Sequence, residues 1–150
     1  NQPIRYDIGN RLNFDEKYVW NELKAIQKDN NNIKSIFYKP HPREKIQKRQ
    51  NENNKFLINN LNKFNGIIVG MFSSLMIELF LKGKYVISLQ PSKLSNFCYL
   101  SSRNFIKKAY CGKDLIQKVN LFNRKENLLK VKKLKEVFYK STFRLEKALN

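Results

Sequence analysis

The chain has 150 residues, 41% of them hydrophobic and 13% aromatic, with a formal net charge of +18. Those numbers exclude a disordered polyelectrolyte, because there is enough apolar matter for a core, and the length suits one ordinary domain. No apolar run reaches the roughly 18 residues that a membrane-spanning helix needs, and no secretory leader is visible at the start "NQPIRY".

In chain order, "FDEKYVWNELKAIQK" (14–28) places Tyr18, Val19, Leu23 and Ile26 near helical spacing, with Asp15 and Glu16 in the first turn. "IKSIFYK" (33–39) is β-branched and aromatic and ends at a proline, which predicts a strand. Residues 43–52 read as a polar helix and "KFLI" (55–58) as a short strand. "GIIVG" (66–70) is a uniformly apolar run between glycines, the pattern of a buried parallel strand. "SSLMIELFLKG" (73–83) predicts a helix closed by Gly83. "KYVISLQP" (84–91) predicts another strand, "KDLIQKV" (113–119) a short helix, and 124–149 a long amphipathic helix. Its apolar stripe comprises Leu128, Val131, Leu134, Phe138, Leu145 and Leu149, with Lys132, Lys133, Lys140 and Lys147 largely off it. Strands alternating with helices predict an α/β fold with a Rossmann-like parallel sheet. Residues 1–123 would form this α/β domain. Residues 124–150 would form a basic helix packed on it or on a partner domain.

The 23 lysines outnumber the 7 arginines and are scattered, which describes a solvated surface better than a surface for reading nucleic acid. Repeated asparagine and lysine in "KDNNNIK" also fits a compositional bias. Residues 101–150 hold fourteen basic and four acidic residues, and this excess suits peripheral attachment to an anionic membrane face. Cys98 and Cys111 show no CxxC spacing, so they read as reduced thiols in a cytoplasmic protein. With one histidine and no thiol cluster, no metal site is expected.

In open α/β sheets, ligands bind beyond the carboxyl ends of the strands. Three predicted strand ends carry notable residues. The first is Lys39-Pro40-His41-Pro42-Arg43, which holds the single histidine. Pro40 restricts Lys39 to extended geometry, and Pro42 suits the first position of a helix. His41 would then sit beside a helix N-terminus, able to donate to an anion or to protonate a leaving phosphate. Helix capping alone is the plainer alternative. The second strand end is Gly70-Met71-Phe72-Ser73-Ser74, whose hydroxyls either cap a helix or hold a phosphate. Glu78, one turn further on, is either a ribose acceptor or a surface residue. The third is Gln90-Pro91-Ser92. There is no GxxxxGK[ST], GxGxxG or DxD.

"YKPHPRE" (38–44) resembles the HP motif of bacterial sialyltransferases, and "GMFSSLMIELFLKGKYVISL" (70–89) resembles their SS motif with the following helix and strand. The family is that of the bacterial lipooligosaccharide sialyltransferases, with the polysialyltransferases nearby. "NQPI" is similar to the Gln-Pro that ends the first strand of their donor-binding half. The likeness runs from Gln2 to about Pro91. It implies the C-terminal half of a GT-B glycosyltransferase, with residues 1–123 as its nucleotide-sugar donor-binding domain and the N-terminal half lying outside this sequence. The implied donor is CMP-sialic acid, the acceptor a saccharide of a lipooligosaccharide or capsule, and no cofactor is needed. His41 would be the acid toward departing CMP. Ser73 and Ser74 would hold the phosphate, with Lys39, Pro42 and Arg43 around it. Asp7 is the first candidate for the base, and Asp15 the second. Enzymes that polymerise glycerol phosphate from CDP-glycerol share similar motifs and are the nearest competing resemblance. A non-enzymatic basic module that binds nucleic acid or membrane is the competitor from outside enzymology.

Overall fold

The computed structural model describes residues 16–37, 39, 61–91 and 97–149. Within these the chain builds three parallel strands: β1 (Ile68–Gly70), β2 (Val86–Leu89) and β3 (Lys107–Ala109), in the order β1-β2-β3. Val69 stands opposite Ile87, and Ser88 opposite Lys108. Among the described residues five α-helices accompany the sheet, α1 (Glu16–Asp29), α2 (Ser74–Leu81), α3 (Tyr99–Ser102), α4 (Gly112–Asn120) and α5 (Arg124–Leu149), with a 3-10 turn at Leu61–Lys63. The chain is thus α/β, with helices on both faces of a small parallel sheet.

β2 lies in the middle and explains its own sequence. All four of its residues are buried, as both-face coverage requires of a central parallel strand. Successive side chains point to opposite faces. Val86 enters one core with Met76, Leu79, Phe80, Leu100, Val131 and Leu134. Ile87 and Leu89 enter the other, with Val19, Met71 and Leu115. The first core lies under α2, α3 and α5, the second under α1 and α4. Each fully buried Leu, Ile or Phe contributes about 1.5–3 kcal/mol relative to exposure.

α2 ends as its glycine predicts. Gly83 adopts φ 79°, the left-handed region that costs a glycine little. The Lys84 N–H donates to the Leu79 carbonyl and the Gly83 N–H to the Phe80 carbonyl, the paired bonds of a Schellman cap. The chain can then turn straight into β2.

Three expectations need correction. Residues 33–37 and Lys39 form no strand; the segment follows a turn closed by the Ile33 N–H on the Asn30 carbonyl. Phe37 then meets Phe64 edge-on, with centroids 5.6 Å apart. β-branched residues favour a strand only where a ladder partner receives them. Second, α3 and β3 were not anticipated. "KKA" reads poorly as a strand, yet β2 supplies its ladder, and lysines are a common guard on an outer strand. Third, the inward stripe of α5 is rotated. Val131 and Leu134 are buried together with Asn127, whereas Leu128 is 51% exposed. Leu145 and Leu149 carry side chains outside the described set, as do all residues of the 43–52 helix and the 55–58 strand.

Candidate phosphate site at the strand ends

Because the three strands are parallel, their carboxyl ends open on one edge of the sheet. The segments found there are Met71-Phe72-Ser73 after β1, Gln90-Pro91 after β2 and Tyr110-Cys111 after β3. Two of them lead directly into helices of eight or more residues, α2 and α4. Each helix start carries unpaired N–H groups and partial positive charge.

The two starts differ in what meets that charge. At α4 the Gly112 N–H donates to Glu22 of α1 at 2.6 Å, and Asp114 accepts from the Tyr110 N–H at 3.0 Å. The chain's own carboxylates therefore occupy this terminus. Burial, and then the neighbouring Glu22, push the Tyr18 hydroxyl above its ordinary pKa, as expected beside an anion. At α2 the first turn has no acidic residue, and Ser73, in extended conformation as the N-cap, makes no side-chain capping hydrogen bond. Its carbonyl does accept from the Met76 N–H. The α2 start thus offers hydroxyl and amide donors that no internal carboxylate of its first turn neutralises.

The turn before α2 is held from beneath by buried polar groups. Ser88 Oγ donates to the Met71 carbonyl at 2.6 Å. Gln90 Nε2 donates to Ser88 Oγ at 2.6 Å and lies 3.3 Å from the same carbonyl. Ser88 and Gln90 are both fully buried. Gly70 is tight as well: a Cβ there would stand 2.9 Å from the Met76 sulfur.

A cavity of about 650 Å³ runs along β1, from Phe64 and Gly66 before the strand to Met71, Phe72 and Ser73 after it, and Lys39 also lines it. Its apolar wall includes Val19, Leu23, Ile68, Leu79 and Leu115. That volume falls within the range of small-molecule sites. The anticipated residues therefore separate. Lys39 and Ser73 share one cavity, and Ser74 opens α2 in an exposed position. Glu78 is exposed on α2, accepts from Lys82 one turn on, and is not among the residues lining the cavity. Asp7, Asp15, His41, Pro42 and Arg43 lie outside the described residues. Sequence reasoning named Gln90 only as a strand end. Its role beneath the turn had a signal, an uncharged amide closing a run of apolar strand residues.

Among the described residues no group of three or more His, Cys, Asp or Glu could hold a metal ion. Cys98 is buried and Cys111 half-buried, and neither is in a disulfide. No described helix is long and apolar enough to cross a membrane. No protein-family model, curated protein or solved structure matches the chain.

Proposed function

We propose that this chain is the donor-binding half of a GT-B glycosyltransferase that uses CMP-sialic acid and transfers sialic acid to a saccharide acceptor. One observation carries the reading: Lys39 and Ser73 line the same cavity. These residues belong to the two motifs that would grip one phosphate. His41 is two residues beyond Lys39, and covalent geometry limits that separation to about 7 Å between Cα atoms. The α2 terminus beside Ser73 lacks an acidic residue of its own, so an external anion would be stabilised there.

The chemistry follows from those groups. A carboxylate, Asp7 or one on the other half of a GT-B enzyme, takes the proton of the acceptor hydroxyl. That oxygen attacks the anomeric carbon of the sialic acid, and the bond to the CMP phosphate breaks. The departing phosphate gains negative charge. His41 donates a proton to it, while Ser73, Ser74 and the first amides of α2 donate hydrogen bonds. Lys39 and Arg43 add positive charge nearby. Isothermal titration of the chain with CMP, CDP and UDP tests this assignment. CMP binding that weakens at least tenfold in His41→Ala, in a folded variant, supports it. Equal binding by wild type and variant removes its mechanism.

The outer side of α5 supplies a surface for the enzyme's acceptor. Lys125, Lys132, Lys133, Lys135 and Lys140 are exposed there beside exposed Leu129 and Tyr139. Basic groups interleaved with apolar ones suit an anionic membrane carrying a lipid-linked saccharide.

A further inference from the structure

We infer that Gln90 is a positioning residue that clamps the donor-phosphate turn to the backbone at Phe97, so that the two are displaced together. The inference deepens the donor-site reading above and rests on it for the identity of the ligand only.

The amide of Gln90 is used at both ends. Its Nε2 donates to Ser88 Oγ at 2.6 Å and reaches toward the Met71 carbonyl at 3.3 Å. Its Oε1 accepts the Phe97 N–H at 2.9 Å. Met71 is two residues before the N-cap of α2, and Phe97 is seven residues beyond Gln90. A second contact spans the same gap, with the rings of Phe72 and Phe97 at 6.1 Å between centroids. The backbone of Gln90 is itself fixed, since its N–H donates to the Ala109 carbonyl of β3. A fully buried amide is costly unless each polar atom is paired. Here the bonds to Ser88, Met71 and Phe97 hold while the turn and the Phe97 backbone keep their present places. Moving either one breaks a hydrogen bond of this buried amide, so displacement of one is opposed by the other. The substrate contact belongs to Ser73; Gln90 acts on it through Met71.

Chemically distinct variants separate the two ends. Gln90→Met retains length and apolar volume but no hydrogen bonds. Gln90→Glu, measured at a pH where the buried carboxyl is ionised, retains an acceptor for the Phe97 N–H but loses the donor. Ser88 Oγ must then turn to the carboxylate and release the Met71 carbonyl. Amide exchange on the 150-residue chain reads both ends. The Phe97 amide reports the downstream segment. The Met76 amide, bonded to the Ser73 carbonyl, reports the first turn of α2. In Gln90→Met both amides should exchange about tenfold faster, the equivalent of one lost hydrogen bond. In Gln90→Glu only Met76 should accelerate. CMP affinity should fall about tenfold in both variants, and the amides of Ile87 and Leu89 should stay protected. If Gln90→Met unfolds, Ser88→Ala removes one donor to Met71 and carries the same test.

Unchanged protection at Met76 and Phe97 overturns the clamp. So does undiminished CMP binding by variants in a chain that binds CMP. If wild type ignores CMP, the donor reading fails, and the exchange results alone decide whether Gln90 couples the two segments.

Discussion

Ser73→Ala separates the two roles that a serine at a helix start can have. A capping serine accepts a hydrogen bond from the first turn, and replacing it by alanine costs about 1 kcal/mol. For a 150-residue chain that loss lowers Tm by roughly 2–4 °C. Ser73 makes no such bond, so its removal should cost no more than about 0.3 kcal/mol, and Tm should move by about 1 °C or less. Ligand binding should respond differently. A hydrogen bond to a charged phosphate is worth about 1.5–3 kcal/mol, so the affinity for CMP should fall roughly 10- to 150-fold. Calorimetric melting and CMP titration on the same preparations check both figures. A drop of several degrees with CMP affinity preserved would make Ser73 a cap and remove the reason for placing phosphate at α2.

Other residues give further tests. Gly112→Ala would place a Cβ 2.4 Å from Ile26 Cγ2 and 3.3 Å from the Glu22 carbonyl, forcing α1 away from α4. The helix-propensity gain of up to about 1 kcal/mol is smaller than overpacking at its usual upper cost of about 3 kcal/mol, so urea unfolding should show a net loss of about 1–2 kcal/mol. Tyr85 donates to the Lys118 carbonyl at 2.7 Å, and burial, with Glu126 second, raises its pKa above the usual 10.0. The unfolded chain therefore ionises first. The contribution is full below about pH 10 and declines as pH rises through the higher folded value. Tyr85→Phe should cost about 1 kcal/mol at pH 8, and the gap to wild type should narrow above pH 10; a constant gap would refute the linkage. The chain should sediment with anionic liposomes at low salt and leave them at high salt. Salt-insensitive binding to neutral liposomes would refute the membrane role of α5.

Much of the fold is legible because burial left a plain pattern. "KYVISL" reads as a covered parallel strand, and all four residues of β2 are buried; "GIIVG" does form a parallel strand, but, outer among the described strands, it is half-buried rather than buried. α2 was bounded by serines and Gly83, and the structure keeps it at Ser74–Leu81. α1 and α5 were visible from periodicity. β3 was not, because Lys107 and Lys108 owe their strand to the ladder with Ile87 and Ser88. Burial of Lys108 lowers its pKa, a mark of the cost paid by a charged side chain on that strand. The rotation of α5 was also hidden, since a helix so rich in both leucine and lysine offers more than one apolar stripe, and only α2 and Gly83 select the face with Asn127, Val131 and Leu134. At the site, the serine turn could be read from hydroxyls at a strand end. Gln90 left a signal, an amide closing an apolar strand, but its partners could not be read, because the contact joins Met71 and Phe97 across different loops. Glu78 was ambiguous until its pairing with Lys82 on the exposed side of α2 was seen.

The most direct test is a crystal structure of the chain with CMP bound. The account predicts one phosphate within hydrogen-bonding distance, about 2.7–3.2 Å, of both the His41 imidazole and Ser73 Oγ, at the start of α2. A phosphate bound elsewhere, or an imidazole and hydroxyl facing different cavities, would contradict it.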